Sequence, residues 1–460
     1  MAITIHQEPT SPNIVNNDLL YVCTSTKTSE AQMQFVCDIK DDNNVLIQRI
    51  KQQPNPSNKA VFNVGQIMTG YFDNADRIWD IGASARLCAV NTGSALQFKV
   101  YFGEEYADSV SSSVELYDGI QNATTGSPEL SGSSYYLNLY GSINELALTD
   151  WNWSSGSKLD YEVPSSASTY SHQNGLTNSN TASVAFGDYH TISYLNGNVV
   201  GDAPQADQAQ DVYAFVVYEY DTTGSLIRQR DFYNSAFEGG GPRSTSVRTW
   251  TSFDTYLDQN ESTKLIHFGV GPQNFEDATY AISESTAYYD VEFYGQLDTN
   301  AINYSGSWGR YRFNIQDCSG FTPQRFAWKN QYGVWDYFNF TKANNRQSTI
   351  NRKEYTQTFV DYSTTGDIVR YDKERRGRVN HYNEITKQRV ANTDWLTQTE
   401  ADDLRELFYS TDVYYYNGNL GWVPVVITTA NITERTNDLS QKVFQYEMAY
   451  ELAIGQRPRQ

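Results

Sequence analysis

The stretch Val212-Tyr213-Ala214-Phe215-Val216-Val217-Tyr218-Glu219-Tyr220, then Asp221-Thr222-Thr223-Gly224, then Leu226 to Tyr233 sets the fold class. Its first part is an almost unbroken apolar and aromatic run, as in a strand buried on both faces. The Asp-Thr-Thr-Gly tetrad turns that strand into the next one. On either side lie further strand signals: Tyr189 to Leu195 leading into an Asn196-Gly197 turn, Lys264 to Val270, Ala287 to Tyr294, and Tyr311 to Ile315. Short strands punctuated by turns at this spacing predict a β-sandwich over 181–317.

A similar pattern fills residues 1–106. Leu96 to Phe102 alternates apolar and polar with period two, the mark of a strand with one wet face. Gln34 to Lys40 and Val45 to Ile50 flank the turn-prone Asp41-Asp42-Asn43-Asn44 and predict a hairpin. Leu19 to Thr24 and Ala60 to Val64 add two strands, which makes an immunoglobulin-like sandwich the expectation here too. Residues 107–180 are serine-rich but broken by Tyr135, Tyr136, Tyr140, Trp151 and Trp153, rings that a pure linker would lack. They predict an insertion with one or two short strands pinned against a neighbour. In 318–460 a helix is expected from Thr397-Gln398-Thr399-Glu400, a capping box, with Ala401, Leu404, Leu407 and Phe408 on one face. The hairpin Val413 to Ile427 follows, its turn assigned to Asn417-Gly418, and the last strand is Val443 to Leu452. The expected fold is therefore mainly β: two immunoglobulin-like β-sandwich modules followed by a C-terminal α+β docking module. A length of 460 residues agrees, since one ordinary core would not serve it.

Charge is spread unevenly. Residues 1–300 carry 14 Lys and Arg against 36 Asp and Glu, whereas 301–460 carry 20 against 18. The net charge of -20 thus arises entirely in the first part. The near-neutral end contains a basic knot of Arg370, Lys373, Arg375, Arg376 and Arg378, with Asp372 and Glu374 among them. Such asymmetry bears on partners rather than fold, and suggests docking by one end into a larger assembly. The knot could contact nucleic acid, but an overall charge of -20 repels a duplex, so a protein interface is the better reading. The 35 tyrosines against 9 tryptophans fit wide half-buried sheet surfaces.

No chemistry-bearing constellation stands out. The five histidines (His6, His172, His190, His267, His381) are far apart and read as isolated structural imidazoles. Cys23, Cys37, Cys88 and Cys318 have no CxxC spacing, so no zinc site and no cofactor are expected, and Cys23 with Cys37 read as reduced buried thiols. Gly269-Val270-Gly271 is followed by Pro272, which lacks an N–H, and reads as a tight turn rather than a phosphate loop. Glu104-Glu105 and Asp361 with Asp367 read as surface acids rather than catalytic pairs. The oxygen-rich turns at Asp41-Asp42 and Asp221 lack the spacing of a known calcium loop. Trp151 and Trp153 are the candidate glycan-contacting rings. Met1 to Thr10 shows no leader pattern, and no apolar run reaches the ~18 residues of a membrane span.

Several phrases resemble structural proteins of tailed bacteriophages, especially those infecting Bacteroidota and related marine phages. They include Leu20-Tyr21-Val22, Phe35-Val36-Cys37-Asp38, Lys51 to Pro56 and Val61 to Val64 in the first module, and Ile266 to Asn274 in the second. The third contributes Phe326 to Asp336, Trp395-Leu396 and Tyr450 to Ala453. The resemblance implies a non-enzymatic virion component of the tail, tail tip or adaptor region. It would be made in the host cytoplasm and would assemble with copies of itself and other virion proteins. The alternative is a receptor- or carbohydrate-binding protein meeting a host surface glycan, or, further off, a glycan-degrading enzyme.

Overall fold

A computed structural model describes residues 3–9, 13–41, 44–72, 88–91, 95–107, 109–117, 135–139, 141–142, 175–177, 179–195, 212–234, 249–253, 265–275, 280–298, 301–316, 320–358, 360–363, 368–371, 374, 377–432 and 443–453. Strands dominate these residues, and the fold is mainly β with several sheets. The chain divides into two compact units, one of Met1–Asp317 with Lys329–Asp336, the other of Cys318–Trp328 with Tyr337–Gln460.

The first unit contains two pairs of sheets. In one pair a three-stranded sheet orders Ile3–Gln7, Leu20–Ser25 and Lys59–Asn63. Its companion orders Asn13–Ile14, Tyr135–Leu139, Ala95–Ala107, Ala31–Asp41 and Leu46–Gln52, with Glu115–Tyr117 added beside Ala95–Ala107. Tyr21, Cys23 and Phe62 from the first sheet share one core with Phe35, Cys37, Phe98 and Phe102 from the second. The period-two pattern read at Leu96 to Phe102 holds: Phe98, Val100 and Phe102 enter the core, while Tyr101 lies on the other face beneath the Lys40 ammonium, 4.6 Å from its ring centre. Both Cys23 and Cys37 are buried free thiols, and burial pushes the Cys23 thiol up to about 12. The insertion supplies Glu115–Tyr117 and Tyr135–Leu139, each hydrogen-bonded to Ala95–Ala107.

In the second pair the larger sheet orders Thr181–Val184, Ala301–Ile315, Tyr288–Asp298, Val212–Tyr220, Leu226–Asn234 and Thr249–Phe253. Val212–Tyr220 has a strand on each side, and its Phe215, Val216 and Val217 are all buried, so both faces are covered as the apolar run predicts. The smaller sheet orders Thr191–Leu195, Leu265–Gly269 and Cys88–Asn91. Cys88–Asn91 falls within 1–106 by number, yet it pairs antiparallel with Leu265–Gly269. The shared core is a nest of rings: Phe293 lies 4.8 Å from Tyr194, 5.5 Å from Phe215 and 5.3 Å from Phe268, measured between ring centres.

The phrase Ile266 to Asn274 is explained by this packing. Gly271 lies so close to the 188–190 backbone that an added Cβ would sit 2.4 Å from His190 N and 2.6 Å from the Asp188 carbonyl oxygen. Asn274, fully buried, accepts hydrogen bonds through Oδ1 from the N–H groups of His190 (2.9 Å) and Gly271 (3.0 Å). The glycine is there for close backbone approach, as a turn reading requires. Gly271→Ala is expected to lower unfolding free energy by about 1–3 kcal/mol because the clash is with backbone that cannot swing aside. An unchanged urea midpoint would show that the 188–190 segment yields freely.

A seven-stranded sheet, whose residues apart from Lys329, Trp335 and Asp336 belong to the second unit, orders Trp335–Phe340, Gln324–Lys329, Val413–Asn417, Gly421–Ile427, Glu447–Leu452, Arg378–Asn392 and Asn345–Thr356. The helix Gln398–Tyr409 begins with the expected capping box: Thr397 accepts from the Glu400 N–H, and Glu400 accepts from the Thr397 N–H at 2.8 Å. Its Ala401, Leu404 and Leu407 join Phe326, Phe340, Tyr415 and Tyr450 in a single core. One turn assignment is corrected. Strand pairing closes at Asn417 with Gly421, and the positive φ (71°) belongs to Gly421, not to the Asn417-Gly418 pair. Three intervening residues need only one left-handed position, at the return to the second strand, and Gly421 fills it.

Candidate functional site

The feature of the second unit most open to a partner is a long two-stranded ribbon. Asn345–Thr356 and Arg378–Asn392 pair antiparallel from Asn345 with Val390 to Thr356 with Arg378. Only Gln388 to Asn392 also pair with the neighbouring strand Glu447–Leu452. From Lys387 back to Arg378 the ribbon has no third strand among the described residues, over roughly 30 Å at ~3.3 Å per residue. All residues of Asn345–Thr356 are exposed. Its sequence explains this: both faces carry polar and charged side chains, so neither can bury against a core. A two-stranded ribbon is marginal in water without further contacts, and its free edges offer unpaired N–H and C=O groups.

Register assigns the faces. Ile350 lies opposite Ile385, Arg352 opposite Asn383, Ser348 opposite Lys387 and Arg346 opposite Arg389. Alternation therefore places Arg346, Ile350, Arg352, Ile385, Lys387 and Arg389 on one face. Glu384 falls on the other face, beside Lys353, whose ammonium lies 5.6 Å from the centre of the Tyr382 ring. The first face is thus cationic around an exposed isoleucine pair, Ile350 (44% exposed) and Ile385 (38%). Arg389 packs on the Tyr415 ring, 5.6 Å from its centre. Among the described residues no ion pair reaches Arg346, Arg352 or Lys387.

In the larger sheet of the second pair, four described arginines are consumed locally. Glu219, fully buried, is held by Arg228 (2.8 Å) and Arg230 (2.9 Å), and accepts from the Ser283 N–H and the Thr286 hydroxyl. Burial pushes its carboxyl up, but the Arg228 hydrogen bond, the Arg230 charge and the Ser283 N–H together leave it below the usual range. Asp290 behaves likewise: burial opposes ionisation, yet hydrogen bonds from Arg312 and Arg310 hold it low. These clusters stitch neighbouring strands of one sheet and leave no free cation for a ligand.

The basic knot is divided. Arg370 lies on Ile368–Tyr371, which pairs with Val360–Ser363 so that Arg370 is opposite Asp361. Arg378 opens the ribbon strand, highly exposed, and its guanidinium pairs with Glu354. Lys373, Arg375 and Arg376 lie outside the described residues, as do Trp151 and Trp153.

The other candidate chemistry resolves into local structure. Glu104 and Glu105 point to opposite faces of their strand: Glu104 is buried and hydrogen-bonded by the Ser25 hydroxyl, Glu105 pairs with Lys51. Asp221 accepts from the N–H groups of Thr223 and Ser225 and from the Thr223 hydroxyl, which hold its carboxyl below the usual range. Asp41 similarly closes its own turn through the Val45 N–H. The Ser193 hydroxyl and His267 Nδ1 are 2.6 Å apart, superficially a nucleophile and base. They are cross-strand partners with both side chains buried, and burial with the nearby Lys329 charge pushes His267 down to about 3. The pair fastens two strands. Among the described residues no three His, Cys, Asp or Glu converge as a metal site would need, and no helix is long and apolar enough to cross a membrane.

The ribbon was not legible as a site beforehand. It lacks apolar alternation, and the one signal available was the run of cations at Arg346, Arg352, Lys353, Lys387 and Arg389 on both sides of the knot. Compared with known proteins, the chain matches no family model, and no curated protein is significantly similar to it.

Proposed function

We propose that this chain is a non-enzymatic structural component of a bacteriophage virion, of the tail, tail tip or adaptor region, acting through protein–protein interfaces. In this reading the two sheet pairs are immunoglobulin-like sandwiches, the last part is an α+β assembly module, and the partners are copies of the chain and other virion proteins. The observation that carries it is the exposed ribbon: its strand Asn345–Thr356 buries nothing of its own, and such a segment is stabilised by whatever it docks against. The division of charge supports the same reading, because an acidic body and a cationic ribbon suit repeated head-to-tail contacts that close into rings. Particles purified from lysate of the phage encoding this chain should contain it in several copies each, by quantitative mass spectrometry of the washed virion. Its presence in the lysate supernatant alone, with none in the particles, would sink the reading.

A further inference from the structure

We infer that the cationic face of the ribbon docks on the acidic 1–300 portion of a second copy of this chain. The inference rests on the assembly reading and specifies its first contact. Three observations converge. The face presents Arg346, Arg352 and Lys387 without an ion partner among the described residues, although acids outnumber cations in the chain by 54 to 34. It centres on the Ile350–Ile385 pair, two aliphatic side chains directly opposite one another and left substantially exposed. The complementary charge is on the same polypeptide, where residues 1–300 carry 36 acids against 14 cations.

Physical chemistry then orders the contributions. Burying the isoleucine pair provides non-directional attraction, at ~25 cal/mol per Å² of apolar surface removed from water. The surrounding cations steer approach, set orientation and reject cationic surfaces rather than supplying most of the affinity. Each copy has one ribbon and one acidic portion, so the contact joins unlike surfaces. Such heterologous contacts generate rings or open filaments depending on the rotation between copies. The opposite face, with Glu384 and with Lys353 lying against Tyr382, lacks this character and serves as an internal control.

The test uses the full chain. Copies labelled with heavy nitrogen are mixed with unlabelled ones and coupled with a water-soluble carbodiimide, which joins lysine amines to carboxylates in direct contact. Mixed-isotope peptides linking Lys387 to acids within 1–300 are expected. In parallel, the mass distribution of the wild type, of R352E/K387E and of K353E is followed against concentration. The double reversal should weaken self-association at least about tenfold, while K353E leaves it unchanged. Raising salt from about 0.05 M to about 0.5 M should weaken the wild type as well, since screening contracts below the ~10 Å reached at 0.1 M. Equal association of R352E/K387E and wild type, or links from Lys387 within single copies only, would overturn the inference and leave the virion reading standing. A wild type that stays monomeric but is incorporated into particles would overturn it too, and would transfer the ribbon to a different virion protein. Circular dichroism and melting of each variant separate these outcomes from misfolding, because the substituted side chains are exposed.

Discussion

Glu219→Ala should remove about 3–5 kcal/mol of unfolding free energy at neutral pH, the cost typical of breaking a buried charge pair from one side. The reason lies in what remains. Arg230 is 2% exposed, and among the described residues its guanidinium makes no well-directed hydrogen bond; its compensation is the Glu219 carboxylate 2.9 Å away. Burial already pulls Arg230 down to about 10, the mark of a cation held at a desolvation cost. Its plane lies near the Phe275 ring, 5.1 Å from the centre, which softens that cost without replacing the counter-charge. The same residue makes a pH prediction. The folded-state pKa of Glu219 is below its ordinary 4.5, so its contribution is fully present above about 4.5 and is lost as pH falls through the lower folded value. Asp290 adds a second group of the same sign. Urea midpoints should therefore decline on acidification below about 4.5, and less steeply in Glu219→Ala than in the wild type. A loss under about 1 kcal/mol at neutral pH would mean that water or a rearranged Arg228 rescues the site.

Phe326→Ala should cost about 3–5 kcal/mol in the second unit, the range for deleting a fully buried aromatic ring. Phe326 is 0% exposed and touches three further rings, with centres 5.2 Å from Phe340, 5.5 Å from Tyr415 and 5.0 Å from Tyr450. These come from three different strands of the seven-stranded sheet, so the cavity cannot collapse without moving all of them. Loss of the ring also frees Tyr450, whose hydroxyl donates to Gln324 at 3.1 Å, and the helix residues Leu404 and Leu407 in the same core. The measurement is a denaturant titration with tryptophan fluorescence as one probe and far-ultraviolet dichroism as another. A shift under about 1.5 kcal/mol would show that the helix settles inward to refill the space.

How far the amino acids announce the structure differs between elements, and the differences have causes. Val212–Tyr220, Leu226–Asn234 and Ala95–Ala107 are readable because buried strands concentrate apolar residues in short runs bounded by turn formers. The helix Gln398–Tyr409 is readable because both halves of its cap lie three residues apart in sequence. In the tetrad Asp221 to Gly224 the left-handed glycine and the carboxylate that caps the turn are neighbours, so local chemistry is sufficient. The Val413–Ile427 turn misled because two candidate glycines, Gly418 and Gly421, lie close together, and strand register selects between them.

Strand content, the Asp221 to Gly224 turn and one capped helix thus follow from short-range chemistry, and the lopsided charge is read directly from composition. Long-range pairing settled the remainder. Cys88–Asn91 joins Leu265–Gly269, far along the chain, through backbone hydrogen bonds that any residues can make. The ribbon's cationic face exists only because register sets Ile350 against Ile385 and brings Arg352 and Lys387 to the same side. Backbone pairing is indifferent to side-chain identity where no face is buried, so residues polar on both sides carry no period from which that register could be read.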